Sequence, residues 1–117
     1  MHIKQDSLKT IKDISKLEFD WNGYGANPIN KKAIKLSKDI IMILDVQPDI
    51  FPTARQSIQM EYRTENGSYL EFEIFEDKIT TLEVPHRNYN KNIQQKIDPG
   101  NYIILSDILN EFFSKND

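Results

Sequence analysis

An α+β fold is what the periodicities of this 117-residue chain predict: two N-terminal helices, an antiparallel meander of three strands or slightly more, and a C-terminal helix. Three observations predict it. Apolar residues recur at helical spacing up to Leu44, the period drops to two after Pro52, and helical spacing returns beyond Asp98-Pro99-Gly100. The length suits a single α+β domain, 1–117, that buries roughly two-thirds of its unfolded surface, with about 1–5 and 114–117 expected to fray.

The first helix follows from Leu8, Ile11, Ile14 and Leu17 behind Asp6 or Ser7 as N-cap, and reads as Ser7 to Glu18. The second has a stronger start, with Asn30 as N-cap and Ile29 and Ile34 placed as a hydrophobic staple. Its buried face reads Ala33, Ser37 or Leu36, Ile40 and Leu44, and it is expected to run from Lys31 to Val46, where Pro48 and Pro52 bracket the exit.

Beyond Pro52, Ile58, Met60 and Tyr62 alternate with polar residues, as do Leu70, Phe72 and Ile74 after Asn66-Gly67. A three-residue loop, Glu65-Asn66-Gly67 with Gly67 left-handed, pairs Tyr62 with Leu70, Met60 with Phe72 and Ile58 with Ile74; a two-residue turn would bring Tyr62 and Glu71 onto one face. A second three-residue loop, Glu76-Asp77-Lys78, would set Phe72 against Leu82 and Leu70 against Val84. The polar stretch from His86 to Lys96 reads as a long loop with room for a short edge strand, and Ile104 or Leu105, Ile108, Leu109 and Phe112 predict the last helix. The predicted core is Leu8, Ile11, Trp21, Ile40, Leu44, Ile58, Met60, Leu70, Phe72, Ile74, Leu82, Ile108, Leu109 and Phe112.

Composition narrows the function classes. The absence of cysteine excludes disulfides, thiolate zinc sites and cysteine nucleophiles. His2 and His86 are the only histidines and neither has a partner at ligand spacing, so no metal and no cofactor is expected, and no catalytic residue is assigned. No run approaches the ~18 apolar residues of a membrane span, and the N-terminus lacks a signal-peptide run, which together lead to a cytoplasmic expectation.

Charge carries more information by position than by sum. The net charge is −3, yet Glu61 to Glu83 holds seven acids against Arg63 and Lys78. In the expected registers Glu61, Glu71 and Glu83 line up across three strands with Glu73 two residues away, a surface suited to a basic protein partner. The second candidate is Asp20 to Pro28, which concentrates the only tryptophan and two of the four glycines. Trp21 and Tyr24 could close the core there, or could anchor an interface, where aromatic residues dominate binding. A nucleic-acid role would use Lys31, Lys35, Lys38, Arg87 and Lys91, against the net acidic balance. A small hydrolase would need His86 beside an acid in a cleft.

The run Trp21-Asn22-Gly23-Tyr24-Gly25-Ala26 with Pro28, a helix, a proline-containing link and then Ile58-Gln59-Met60-Glu61-Tyr62 and Leu70-Glu71-Phe72-Glu73-Ile74 resembles a group of small uncharacterised bacterial and phage-associated proteins. That group shows a W-[DN]-G-Y-G-A loop and strands close to "IQLEW … LEIEI". The resemblance covers roughly Leu17 to Val84, with Asn22 where Asp is commoner and Tyr62 where Trp is frequent. It implies a bacterial or phage setting and the same helix, helix, sheet order, and it brings no activity. The expectation is a small non-enzymatic binding protein, of the antitoxin, immunity or phage-encoded inhibitor kind, using Glu61, Glu71, Glu73, Glu83, Trp21 and Tyr24. An unpaired edge strand would also allow a homodimer.

Overall fold

Asn30 starts the second helix as its sequence predicts. In the computed structural model, which describes residues 3–116 with the Arg87 side chain outside the description, the Asn30 Oδ1 accepts from the Lys32 and Ala33 amides at 2.8 and 3.3 Å. This is helix α2, Lys31–Ile43, which buries Ala33, Ile34, Ser37, Ile40 and Ile41 along one stripe. It stops short of Val46 because Leu44 turns extended, and the Gln47 amide donates to the freed Ile41 and Leu44 carbonyls.

Helix α1, Lys4–Ile14, lies earlier than expected. Ser7 belongs to its buried side and so cannot cap it; the Asp6 carboxylate instead accepts from the Ile3 amide at 3.5 Å. Helix α3 spans Ile104–Asn116 and buries Leu105, Leu109 and Phe112. Lys4, Gln5 and 114–116, expected to fray, are helical.

The meander has five strands in sequential order: β1 Asp49–Pro52, β2 Ile58–Arg63, β3 Tyr69–Ile74, β4 Ile79–Val84 and β5 Ile93–Ile97. The β2–β3 register is the predicted one, Tyr62 opposite Leu70 and Ile58 opposite Ile74, closed by Gly67 at φ 87°. The β3–β4 register is not. Phe75 closes directly on Lys78, its amide donating to the Lys78 carbonyl at 3.0 Å, so only Glu76 and Asp77 form the link. One residue fewer in the loop inverts every side chain of β4. Phe72 therefore faces Thr81, Leu70 faces Glu83 and Glu71 faces Leu82. Leu82, predicted in the core, lies half-buried on the opposite face, and Glu83 takes the inward position.

All three helices sit on one side of the sheet. That side carries Ile58, Met60, Tyr62, Leu70, Phe72 and Ile74, which join α1, α2 and α3 in one core; Leu8, Trp21 and Ile108 pack partly buried against it. Tyr62 contacts Phe72 and Phe113 edge-on at 6.1 and 5.8 Å between centroids, and its hydroxyl donates to the Val46 carbonyl at 2.6 Å. Each such fully buried side chain contributes roughly 1.5–3 kcal/mol. Among the described residues no α-helix covers the far side of the sheet.

Candidate interaction surfaces

The Trp21 to Pro28 loop divides its two aromatic residues between core and solvent. Trp21 is half-buried against the core and its indole Nε1 donates to the Asn27 carbonyl at 2.9 Å. Tyr24 is 92% exposed. Between them the backbone is braced from within: Asn22 Oδ1 accepts from the Tyr24 and Ala26 amides, and Asp20 Oδ1 accepts from the Gly25 amide at 2.7 Å. Gly23 and Gly25 hold φ of 78° and 81° with open space where a Cβ would stand, so glycine serves backbone conformation there and not close approach. A fixed loop displaying an exposed tyrosine loses little entropy when that ring is buried by a partner.

The helix-free face of the sheet carries the acidic row in a corrected form. Asp49 opposes Glu61 and Glu61 opposes Glu71, while Glu83, turned to the other face by the two-residue link, pairs with Lys115 of α3 at 3.0 Å. Asp49 was missed because Pro48 and Pro52 read as punctuation; the signal was the alternation of Asp49 and Phe51 around Ile50.

Most of these carboxylates have partners inside the chain. Glu61 accepts from Arg63 at 3.1 Å and from Gln59 at 2.6 Å. Glu73, 8% exposed, accepts from Arg55 Nε at 2.7 Å and Ser57 Oγ at 2.6 Å, fastening the β1–β2 turn. Glu71 accepts the Tyr69 hydroxyl at 2.7 Å and makes no ion pair with a described residue. Burial first, then the hydrogen bond to Glu71 and the charges of Glu71 and Glu61, push the Tyr69 phenol well above its ordinary pKa, against the opposing pull of Arg63.

Beside this row a cleft of about 670 Å³ opens where the segment after β4 folds back, lined by Arg63, Tyr69, Val84, Tyr89, Asn92 and Gln94 among others. The Arg63 guanidinium stacks over Tyr69 at 4.8 Å. Neither Tyr89 nor Asn92 was singled out in the sequence, because a polar, aperiodic stretch gives no sign of the face it covers.

The cationic candidates are not brought together. Lys31, Lys35 and Lys38 are exposed on α2, in the helical layer, and Lys35 pairs with Asp39 at 3.6 Å. Lys91 belongs to the turn Tyr89–Lys91, whose Tyr89 lines the cleft on the opposite face; the Arg87 side chain lies outside the described residues. His86 is exposed, and its ring makes no hydrogen bond or ion pair with a described residue. No group of three or more His, Cys, Asp or Glu among the described residues could hold a metal ion, and no described helix is long and apolar enough to cross a membrane.

No family model, curated protein or solved structure matches this chain.

Proposed function

We propose that this chain is a small non-enzymatic protein-binding module, of the antitoxin, immunity or phage-encoded inhibitor kind, and that the loop from Trp21 to Pro28 is its principal contact element. One observation carries the reading: Tyr24 stands 92% exposed at the tip of a loop that Asp20 and Asn22 brace with three hydrogen bonds. An exposed aromatic ring on a preformed backbone is what interface hot spots are made of. The row Asp49, Glu61, Glu71 supports a basic partner, with Glu71 as its contact point, since Glu61 and Glu73 already have cationic partners within the chain.

Affinity purification of the tagged protein from its native host, comparing wild type with Tyr24→Ala and Glu71→Lys, tests both parts. The expected result is a protein retained by wild type and lost with Tyr24→Ala at unchanged melting temperature. Equal recovery by wild type and Tyr24→Ala refutes the loop as contact element, and equal recovery with Glu71→Lys removes the acidic row.

A further inference from the structure

We propose that the free edge of β5 pairs with the β5 edge of a second copy of this chain, joining two sheets into one with all helices on the same side. The backbone groups available there follow from the hydrogen-bond alternation. Residues opposite one another in antiparallel strands alternate between pairs that exchange both hydrogen bonds and pairs that exchange none. The Thr64 amide donates to the Ser68 carbonyl, and the Phe75 amide to the Lys78 carbonyl, each at 3.0 Å. Counting by twos from either bond through the unbroken registers gives the same answer: Ile79–Ile97, Thr81–Gln95 and Glu83–Ile93 are the bonded pairs between β4 and β5. The amides and carbonyls of Gln94 and Lys96 therefore point away from the sheet.

Lys96 is the one residue of the strand that blunts this edge. The opposite edge, β1, contains Pro52 and packs beside α1. β5 has no proline and one charge, Lys96, and only Ile97 of its five residues is buried. Apolar side chains flank it: Ile93 is 48% exposed, and Ile103 and Ile104, 63% and 45% exposed, line a shallow groove with Ile97.

The residues of β5 are self-complementary in one register, which fits a second copy as the occupant. Three two-fold pairings bring outward-facing groups together. Lys96 against the partner's Lys96 sets like charges directly opposite, and Gln94 against the partner's Gln94 leaves Ile97 beyond the end of the partner's strand. Gln94 against the partner's Lys96 avoids both. The two-fold axis then passes through Gln95, four backbone hydrogen bonds form, and each Ile93 meets the partner's Ile97 beside the Ile103–Ile104 groove. A strand pair with two isoleucine contacts is a small interface, which predicts a dissociation constant of roughly 10–100 μM.

Sedimentation or light scattering across a concentration series tests the pairing, with circular dichroism as the control for folding. Wild type is expected to move from 13.7 kDa toward twice that mass. Gln94→Lys creates two like-charge pairs and should weaken the dimer about fivefold, whereas Gln94→Glu creates two opposite-charge pairs with Lys96 and should tighten it about fivefold. Wild type that stays monomeric up to about 1 mM overturns the proposal. So does a weakening by both substitutions, because that belongs to Gln94 facing its own copy.

Discussion

Glu61 and Glu71 face each other across β2 and β3 in a pair that exchanges no backbone hydrogen bonds, the arrangement in which opposing Cα atoms stand closest, at about 4.5 Å. Their surroundings differ. Glu61 has Arg63 and Gln59, whereas Glu71 has only the Tyr69 hydroxyl among the described hydrogen bonds. Glu71→Gln removes the repulsion and keeps an oxygen for Tyr69, so it is expected to stabilise the protein by about 0.5 kcal/mol. Glu61→Gln gains relief from Glu71 on one side and from Asp49 on the other but loses the Arg63 pair, for a net change of about zero. Urea melts at low salt should resolve the difference, and high salt should shrink it. A destabilising Glu71→Gln would mean that the row is held by an attraction these contacts do not contain.

Asn22 is the brace on which Tyr24 depends. Its Oδ1 satisfies the Tyr24 and Ala26 amides, and Ala26 is buried. Asn22→Ala leaves both donors without that acceptor, and a loss of about 1–2 kcal/mol is expected. Asn22→Asp keeps an acceptor in place and should leave stability within about 0.5 kcal/mol. Thermal melts of the two variants give the comparison, and equal losses would show that the bonds from Asn22 do not hold the loop.

The parts of this fold legible in the sequence are those where a local cause has no competitor. Asn30 caps α2 because its side chain is the acceptor nearest the free amides, and Gly67 sets the β2–β3 register because the loop needs one left-handed residue. The β3–β4 link carries no such marker. Glu76-Asp77-Lys78 gives no steric reason to prefer three loop residues over two, and that single residue decides which of Leu82 and Glu83 meets the core. β1 was hidden between Pro48 and Pro52, and β5 is too polar to alternate visibly, since Gln95 points toward the helical side as Ile93 and Ile97 do. The exposure of Tyr24 was undecidable from the sequence, because Trp21 and Tyr24 share one loop and tertiary packing alone chooses which turns inward.

Proline separates the two edges of β5. Gln95 exchanges its hydrogen bonds with Thr81 of β4 under the alternation that begins at Phe75 and Lys78, whereas the Gln94 amide faces outward. Gln95→Pro removes a ladder bond and should cost about 2–3 kcal/mol; Gln94→Pro removes none and should cost less than about 1 kcal/mol. Urea unfolding of both variants distinguishes the positions, and the reverse order would show that the ladder is offset by one residue.

Tyr62 makes the protein sensitive to alkali. Burial raises its phenol pKa above the ordinary value of 10.0. Above that pH the unfolded chain releases this proton while the folded chain keeps it, so the unfolded state binds fewer protons and stability falls as pH rises, by about 1.4 kcal/mol per pH unit from this group. Tyr62→Phe abolishes that dependence, at the cost of the hydrogen bond to the Val46 carbonyl, about 1 kcal/mol at neutral pH. The two effects oppose each other. Wild type should be the more stable protein at pH 8, the two should meet near about pH 11, and Tyr62→Phe should be the more stable above that point. Urea melts at three pH values would locate the crossing; parallel curves over the whole range would mean that the phenol ionises as readily in the folded protein as in the unfolded chain.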